Sequence, residues 1–180
     1  MPGGIVLAGG EEFRTGCEEM DTAIMDATGA EPVRVLIIPT AAVTGPQKAA
    51  SDGVRHFSRL GARASELMVL DGSQANDEDF IKVASEASLI YFTGGSPDHL
   101  LATLKGSKLL ERLQEALTRG AVVGGSSAGA MVMGSAIRRP SSGGWVESLG
   151  IPQGVAVLPH GYGCRRTAQD RTTRLDGAGN

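Results

Sequence analysis

Ser127 stands in Gly125-Ser126-Ser127-Ala128-Gly129, directly after the apolar run Ala121-Val122-Val123-Gly124 and directly before the helix-like stretch Ala130-Met131-Val132-Met133. With 14 serines and 26 glycines in 180 residues, a Gly-x-Ser-x-Gly match is expected by chance roughly 0.3 times, so the letters alone carry little. The context carries more. A strand that reverses into a helix within one residue forces its turn residue into a strained backbone and holds the hydroxyl clear of the sheet. Such a reversal brings the positions two before and two after the serine together, and Gly125 and Gly129 leave that space empty. Ser127 is therefore expected to be a nucleophile. The Ala128 N–H, at the start of the following helix, is expected to be half of an oxyanion hole, because unpaired helix N-terminal donors favour negative charge.

A second turn offers the other half. In Thr93-Gly94-Gly95-Ser96-Pro97-Asp98, Ser96 suits an N-cap and Pro97 a first helical position, so Gly94 and Gly95 form an uncrowded turn whose N–H groups can face a cleft. Asp98 in the same turn is a candidate substrate contact. A serine nucleophile needs a base, and the chain has three histidines. His56 falls in a helical segment and is expected at the surface or an interface, and His99 is expected to point along its own helix. His160 follows Val155-Ala156-Val157-Leu158-Pro159 at a strand end, where a side chain can reach a neighbouring strand's nucleophile, and is the expected base. Three carboxylates follow Ser127, namely Glu147, Asp170 and Asp176. Glu147, in the loop between nucleophile and base, is the first choice for the acid that orients His160. Arg138, Arg139, Arg165 and Arg166 are the cations available to select an acidic side chain.

These residues need a scaffold, and the pattern supplies one. Strands are expected at Gly4–Ala8, Val33–Pro39, Ala64–Leu70, Leu89–Thr93, Ala121–Gly125 and Val155–Leu158, with helices near 16–28, 46–60, 77–87, 97–104, 108–118 and 128–134. Alternation of this kind predicts an α/β fold, a three-layer α/β/α sandwich with a mostly parallel central sheet. Val35-Leu36-Ile37-Ile38 and Leu89-Ile90-Tyr91-Phe92 are apolar throughout, as central strands buried on both faces should be. Ligands of such sheets collect at the carboxyl ends of the strands, where all the turns above lie. Ser135 to Gly150 is expected to be a long irregular loop. A single hydrolytic domain over 1–160 and a polar tail over 161–180 complete the expected organisation.

Composition narrows the partners. A net charge of −3 offers no general attraction to nucleic acid or an anionic membrane. The glycine turns contain neither Gly-x-Gly-x-x-Gly nor a Gly-Lys-Ser/Thr loop, and no cofactor or metal is expected. Two cysteines, Cys17 and Cys164, form no disulfide framework, and because the apolar run Ile5 to Ala8 is short, no signal or spanning segment is expected there. A cytoplasmic protein is expected.

Thr93-Gly94-Gly95 followed by a helix, then Gly125-Ser126-Ser127-Ala128-Gly129-Ala130, then Leu158-Pro159-His160 resemble the peptidase E and cyanophycinase family of serine peptidases, from about Gly3 to about His160. The resemblance implies a class I glutamine amidotransferase-like fold with serine in place of cysteine. It implies Ser127 as nucleophile, His160 as base, oxyanion donors from Gly95 and Ala128, and cleavage beside an aspartyl residue. Two departures stand out. Where peptidase E has its triad aspartate, this chain reads Arg138-Arg139-Pro140-Ser141-Ser142, and the family continues well past the histidine with further sheet. An open pocket would also suit short-chain esters, which makes a carboxylesterase one alternative, and a non-catalytic small-molecule binding module of the same fold another. A sheet edge left uncovered would favour a homodimer.

Overall fold

The computed structural model describes residues 3–138, 144–151 and 156–157. Five strands, β1 (Gly4–Ala8), β2 (Arg34–Ile38), β3 (Arg63–Glu66), β4 (Leu89–Phe92) and β5 (Val122–Ser126), form a parallel sheet in the order β1-β5-β4-β2-β3. The all-apolar runs are interior strands, as expected. Val35 and Ile37 pack with Leu89, Tyr91 and Val122 against one face, while Leu36 and Ile38 pack with Ile90, Phe92 and Val123 against the other. Strand side chains alternate between faces, so a strand covered on both sides must be apolar at every position.

Helices α1 (Glu18–Asp26) and α2 (Pro46–Arg59) bury Ile24, Met25 and Phe57 on the first face. The second face takes α3 (Glu78–Ser85), α4 (Pro97–Leu104), α5 (Lys108–Thr118) and the short α6 (Ala128–Met131), through Ala84, Leu100, Leu104, Leu109, Leu113 and Met131. The result is the expected three-layer sandwich. Asp77, Ser96 and Ser107 cap α3, α4 and α5 by accepting hydrogen bonds from the N–H groups of Asp79, His99 and Leu110.

Three expectations need correction. The helix expected over 128–134 ends at Met131, because the carbonyls that follow are claimed by a distant segment. Leu149 N–H donates to Val132 O, Gly150 N–H to Gly134 O and Ile151 N–H to Met133 O, and the Ser148 hydroxyl adds a 2.6 Å bond to Val132 O. The stretch 135–150 is not simply irregular. It contains β6 (Ala136–Arg138) and β7 (Trp145–Glu147), which pair antiparallel. The last strand, β8 (Ala156–Val157), does not extend the main sheet but pairs parallel with β6 in a separate sheet ordered β7-β6-β8. Short strands with one buried residue, such as Ile137, have too weak a pattern to be separated from loop by periodicity.

Candidate active site

Ser127 has φ 50° and ψ −111°, as N-cap of α6 immediately after β5. A side chain at positive φ crowds its own carbonyl and costs about 1–2 kcal/mol, so the surroundings must impose it. They do so by close approach. A methyl group on Gly125 would lie 2.7 Å from the Gly129 carbonyl carbon, and one on Gly129 would lie 2.6 Å from Phe92 O. Only glycine fits at either position, and the backbone can therefore fold back over itself at Ser127. The Ser127 N–H donates to Ala8 O at 3.0 Å, which ties the elbow to the end of β1.

The turn after β4 stands beside this elbow. A methyl on Gly94 would be 3.3 Å from Ser127 Cβ, and Gly95, at φ 141°, is packed so tightly on Ala41 that no side chain could enter. Ser96 N–H fixes the turn by donating to Ala41 O at 2.7 Å. The Gly94 N–H is already committed, donating at 2.8 Å to Glu12 Oε1. Among the described residues the N–H groups of Gly95 and Ala128 have no hydrogen-bond partner. Of the three donors expected from sequence, Gly95 and Ala128 are thus open and Gly94 is occupied.

Glu12 is the residue that sequence reasoning missed. It lies in the turn after β1, its Oε2 accepting from the Ser126 hydroxyl at 2.8 Å while Oε1 holds Gly94. The signal was a carboxylate just past Ala8-Gly9-Gly10 at a strand end. It acquires meaning only once β1 is known to lie beside β5, a pairing that strand order alone decides.

Other expected residues are placed as follows. His160 and Arg139 lie outside the described residues, as do Asp170, Asp176, Arg165, Arg166 and the tail 161–180. Glu147 does not line the Ser127 cleft. On β7 it is 78% exposed and ion-paired with Lys105 Nζ at 2.7 Å, at the far end of α4, a helix about 12 Å long that starts at the Gly95 turn. The hydrogen bond and charge of Lys105 hold the Glu147 carboxyl below its usual range. That is the placement of an exposed surface ion pair. Asp98 is exposed in the first turn of α4, and Arg138 is exposed at the end of β6.

The other two histidines are structural. His99 Nε2 lies 2.9 Å from Leu70 O and joins α4 to the loop after β3. His56, expected at the surface or an interface, is not exposed. It is buried on the inner face of α2, with Nε2 at 2.8 Å from Asp21 Oδ2, itself buried. Burial pushes the Asp21 carboxyl above its ordinary range, while the bond to His56 pulls it back.

Ser127, Glu12, Gly94 and Gly95 open into a cleft of about 890 Å³. Its lining includes Arg14, Lys48, Arg55 and Arg59. Arg14 is paired with Glu11, and Lys48 and Arg55 with Asp52. Arg59 has no ion pair among the described residues. Among the described residues no group of histidines, cysteines and carboxylates could hold a metal ion, and no helix is long and apolar enough to cross a membrane.

Comparison with known proteins bears on the fold and the family. The chain is 27% identical over 166 residues to a cyanophycinase from Synechococcus elongatus and, to the same extent, to one from Thermosynechococcus vestitus, a match covering 87% of this chain and 50% of each relative. It spans about half the length of the curated relatives it matches. The crystal structure of a peptidase from an acI-B1 Actinobacterium superposes with a TM-score of 0.79 at 30% identity, covering 89% of this chain and 69% of that one. A peptidase E protein from Listeria monocytogenes EGD-e superposes with a TM-score of 0.67 over 98% of this chain and 88% of that one, and at 19% identity speaks for the fold alone. The family model described as Peptidase family S51 matches residues 5–176, past the end of the motif resemblance. That match spans most of the sequence, and the chain belongs to peptidase family S51.

Proposed function

We propose that this chain is a serine peptidase that cleaves beside an aspartyl residue in a short peptide or an aspartate-rich polymer. Ser127 Oγ attacks the carbonyl, His160 takes its proton and passes it to the departing amine as the peptide C–N bond breaks, leaving an acyl ester on Ser127. The N–H groups of Gly95 and Ala128 stabilise the oxyanion, and water then releases the acyl group. The observation that carries the reading is the Ser127 backbone, held at φ 50° by two glycines that admit no side chain. A binding module has no use for a strained serine beside two open N–H donors.

Selection of an acidic side chain is assigned to the cations that line the cleft. Arg59 is the foremost of these cations, since Glu11 and Asp52 already engage the others. A guanidinium can hold a carboxylate through two parallel hydrogen bonds.

The test is labelling with a fluorophosphonate followed by peptide mapping, then hydrolysis of N-terminal aspartyl dipeptides. One adduct on Ser127 is expected, with labelling that weakens as pH falls through the ordinary histidine range near ~6.5 and His160 protonates. Folded protein that takes no label, or labelling indifferent to pH between about 5 and 8, overturns the mechanism.

A further inference from the structure

Among the described residues, the non-glycine positions at positive φ are Glu11 (59°), Phe13 (64°) and Ser127 (50°). Two of the three flank Glu12. Backbone in this region persists only where its surroundings impose it, and here Phe13 is the anchor. Its ring packs against His56, Phe57 and Tyr91 at centroid distances of 5.7, 6.0 and 5.4 Å. Helix α2 admits it through Gly53, where a methyl would lie 2.9 Å from the Phe13 ring. With Phe13 plugged into the core and the chain left-handed on both sides of Glu12, the Glu12 carboxylate is turned toward the elbow.

What it holds there is specific. One oxygen accepts from Gly94 N–H, in the turn that carries the Gly95 donor, and the other accepts from the hydroxyl of Ser126, the residue before the nucleophile. The Tyr91 hydroxyl adjoins Ser126 from β4, and burial keeps it a neutral phenol. Three strand ends, those of β1, β4 and β5, therefore meet at one carboxylate.

Resting on the serine mechanism above, we propose that Glu12 is a positioning residue, a clamp that fixes the Gly94-Gly95 turn against the Ser127 elbow and so sets the distance between the Gly95 N–H and the developing oxyanion. The clamp acts through the backbone and touches no substrate. It matters because the two oxyanion donors come from different turns that share no backbone hydrogen bond among the described residues. A donor misplaced by about 1 Å costs on the order of 100-fold in rate.

The experiment compares wild type, Glu12→Ala, Glu12→Gln and Ser126→Ala in the full chain. It reads fluorophosphonate labelling of Ser127, kcat and KM on an N-terminal aspartyl dipeptide, and hydrogen exchange at the Gly94 amide. Glu12→Ala is expected to slow labelling and kcat by about 100-fold, to leave KM within about twofold, and to speed Gly94 exchange. Glu12→Gln keeps an oxygen for Gly94 and recovers to within about tenfold of wild type. Ser126→Ala cuts one tie from the other side and costs about tenfold, which keeps the test decisive should Glu12→Ala fail to fold. Wild-type labelling rates in Glu12→Ala or in Ser126→Ala overturn the clamp, as does a loss confined to KM, which would make Glu12 a substrate contact. A wild type that takes no label at Ser127 overturns the serine mechanism itself and, with it, the catalytic role of the clamp.

Discussion

Along β5, Val122 and Val123 lie fully buried in regular strand, hydrogen-bonded on one side to β1 and on the other to β4. A few residues later Ser127 is left-handed, wedged between glycines and opening on a cleft. At Val122 and Val123, as along β2 and β4, the local preferences of residue type, extended backbone and burial on both faces agree. The rim violates those preferences at Glu11, Phe13 and Ser127 and is held in place by close packing on the interior. Strain gathers where groups must be held ready for chemistry, and the regular sheet beneath supplies the stability that tolerates it.

A second pair of regions sharpens the point. The Asp21–His56 pair has the geometry of a catalytic acid and base, with a 2.8 Å bond, yet both residues are buried, and the His56 ring packs against Phe13 and Phe57. Ser127 has the reverse: access, strain and open donors. Access, strain and open donors, more than a histidine–carboxylate contact, single out the site proposed above.

The difference between rim and interior can be broken in graded steps. Ser127→Ala should abolish turnover, by at least about 1000-fold. Ser127→Gly should do the same while raising stability by about 1 kcal/mol, since glycine relieves the positive φ. Denaturant melts of the two variants would show whether the strain is real. Removing the buried pair acts on the interior instead. His56→Ala leaves a buried carboxylate without its partner and should cost about 3–5 kcal/mol, read as a fall in the unfolding midpoint.

Asp21→Asn tests the electrostatics of that pair. The Asp21 carboxyl is raised in the folded state, so the folded chain binds its proton more tightly than the unfolded chain does. Its contribution to stability is full below the unfolded value near ~3.9 and declines as pH rises toward the folded value. The stability of wild type relative to Asp21→Asn should therefore decrease from about pH 4 upward; a relative stability that rises over that range would contradict the assigned shift.

Smaller effects separate the glycines. Gly129→Ala drives a methyl against Phe92 O and should cost about 2–3 kcal/mol, with labelling at Ser127 lost in parallel. Arg59→Ala should raise KM for aspartyl dipeptides by about tenfold with kcat little changed; an unchanged KM would move selectivity to another cation. Gly9→Ala, at a rim position with nothing within 4 Å of the added methyl, should shift stability by less than about 0.5 kcal/mol.

The main sheet was legible in the sequence because its strands are short, apolar runs separated by capped helices, and periodicity reports such elements directly. Helices α4 and α5 match their expected limits, with Ser96 and Ser107 as caps and Pro97 at the first turn. The nucleophile elbow was legible for a similar reason, since two glycines around a serine between strand and helix describe a local steric problem that neighbouring residues solve. His56 was misplaced because α2 alternates polar and apolar residues closely, and a histidine on the inner face is buried only if something pairs with it; Asp21, 35 residues earlier, does. Glu147 was drawn toward the site by its position between nucleophile and base, whereas an ion pair with Lys105, 42 residues earlier, fixes it elsewhere.

By itself, then, the sequence determined the main-sheet strands, the longer helices, the elbow and the glycine turn, all consequences of forces acting within a few residues. Tertiary structure decided the strand order β1-β5-β4-β2-β3, and through it which strand ends meet. Glu12 is separated from Gly94 by 82 residues and from Ser126 by 114. No local preference links such positions, and only the close packing of parallel strands, about 4.8 Å apart, brings one carboxylate within reach of both.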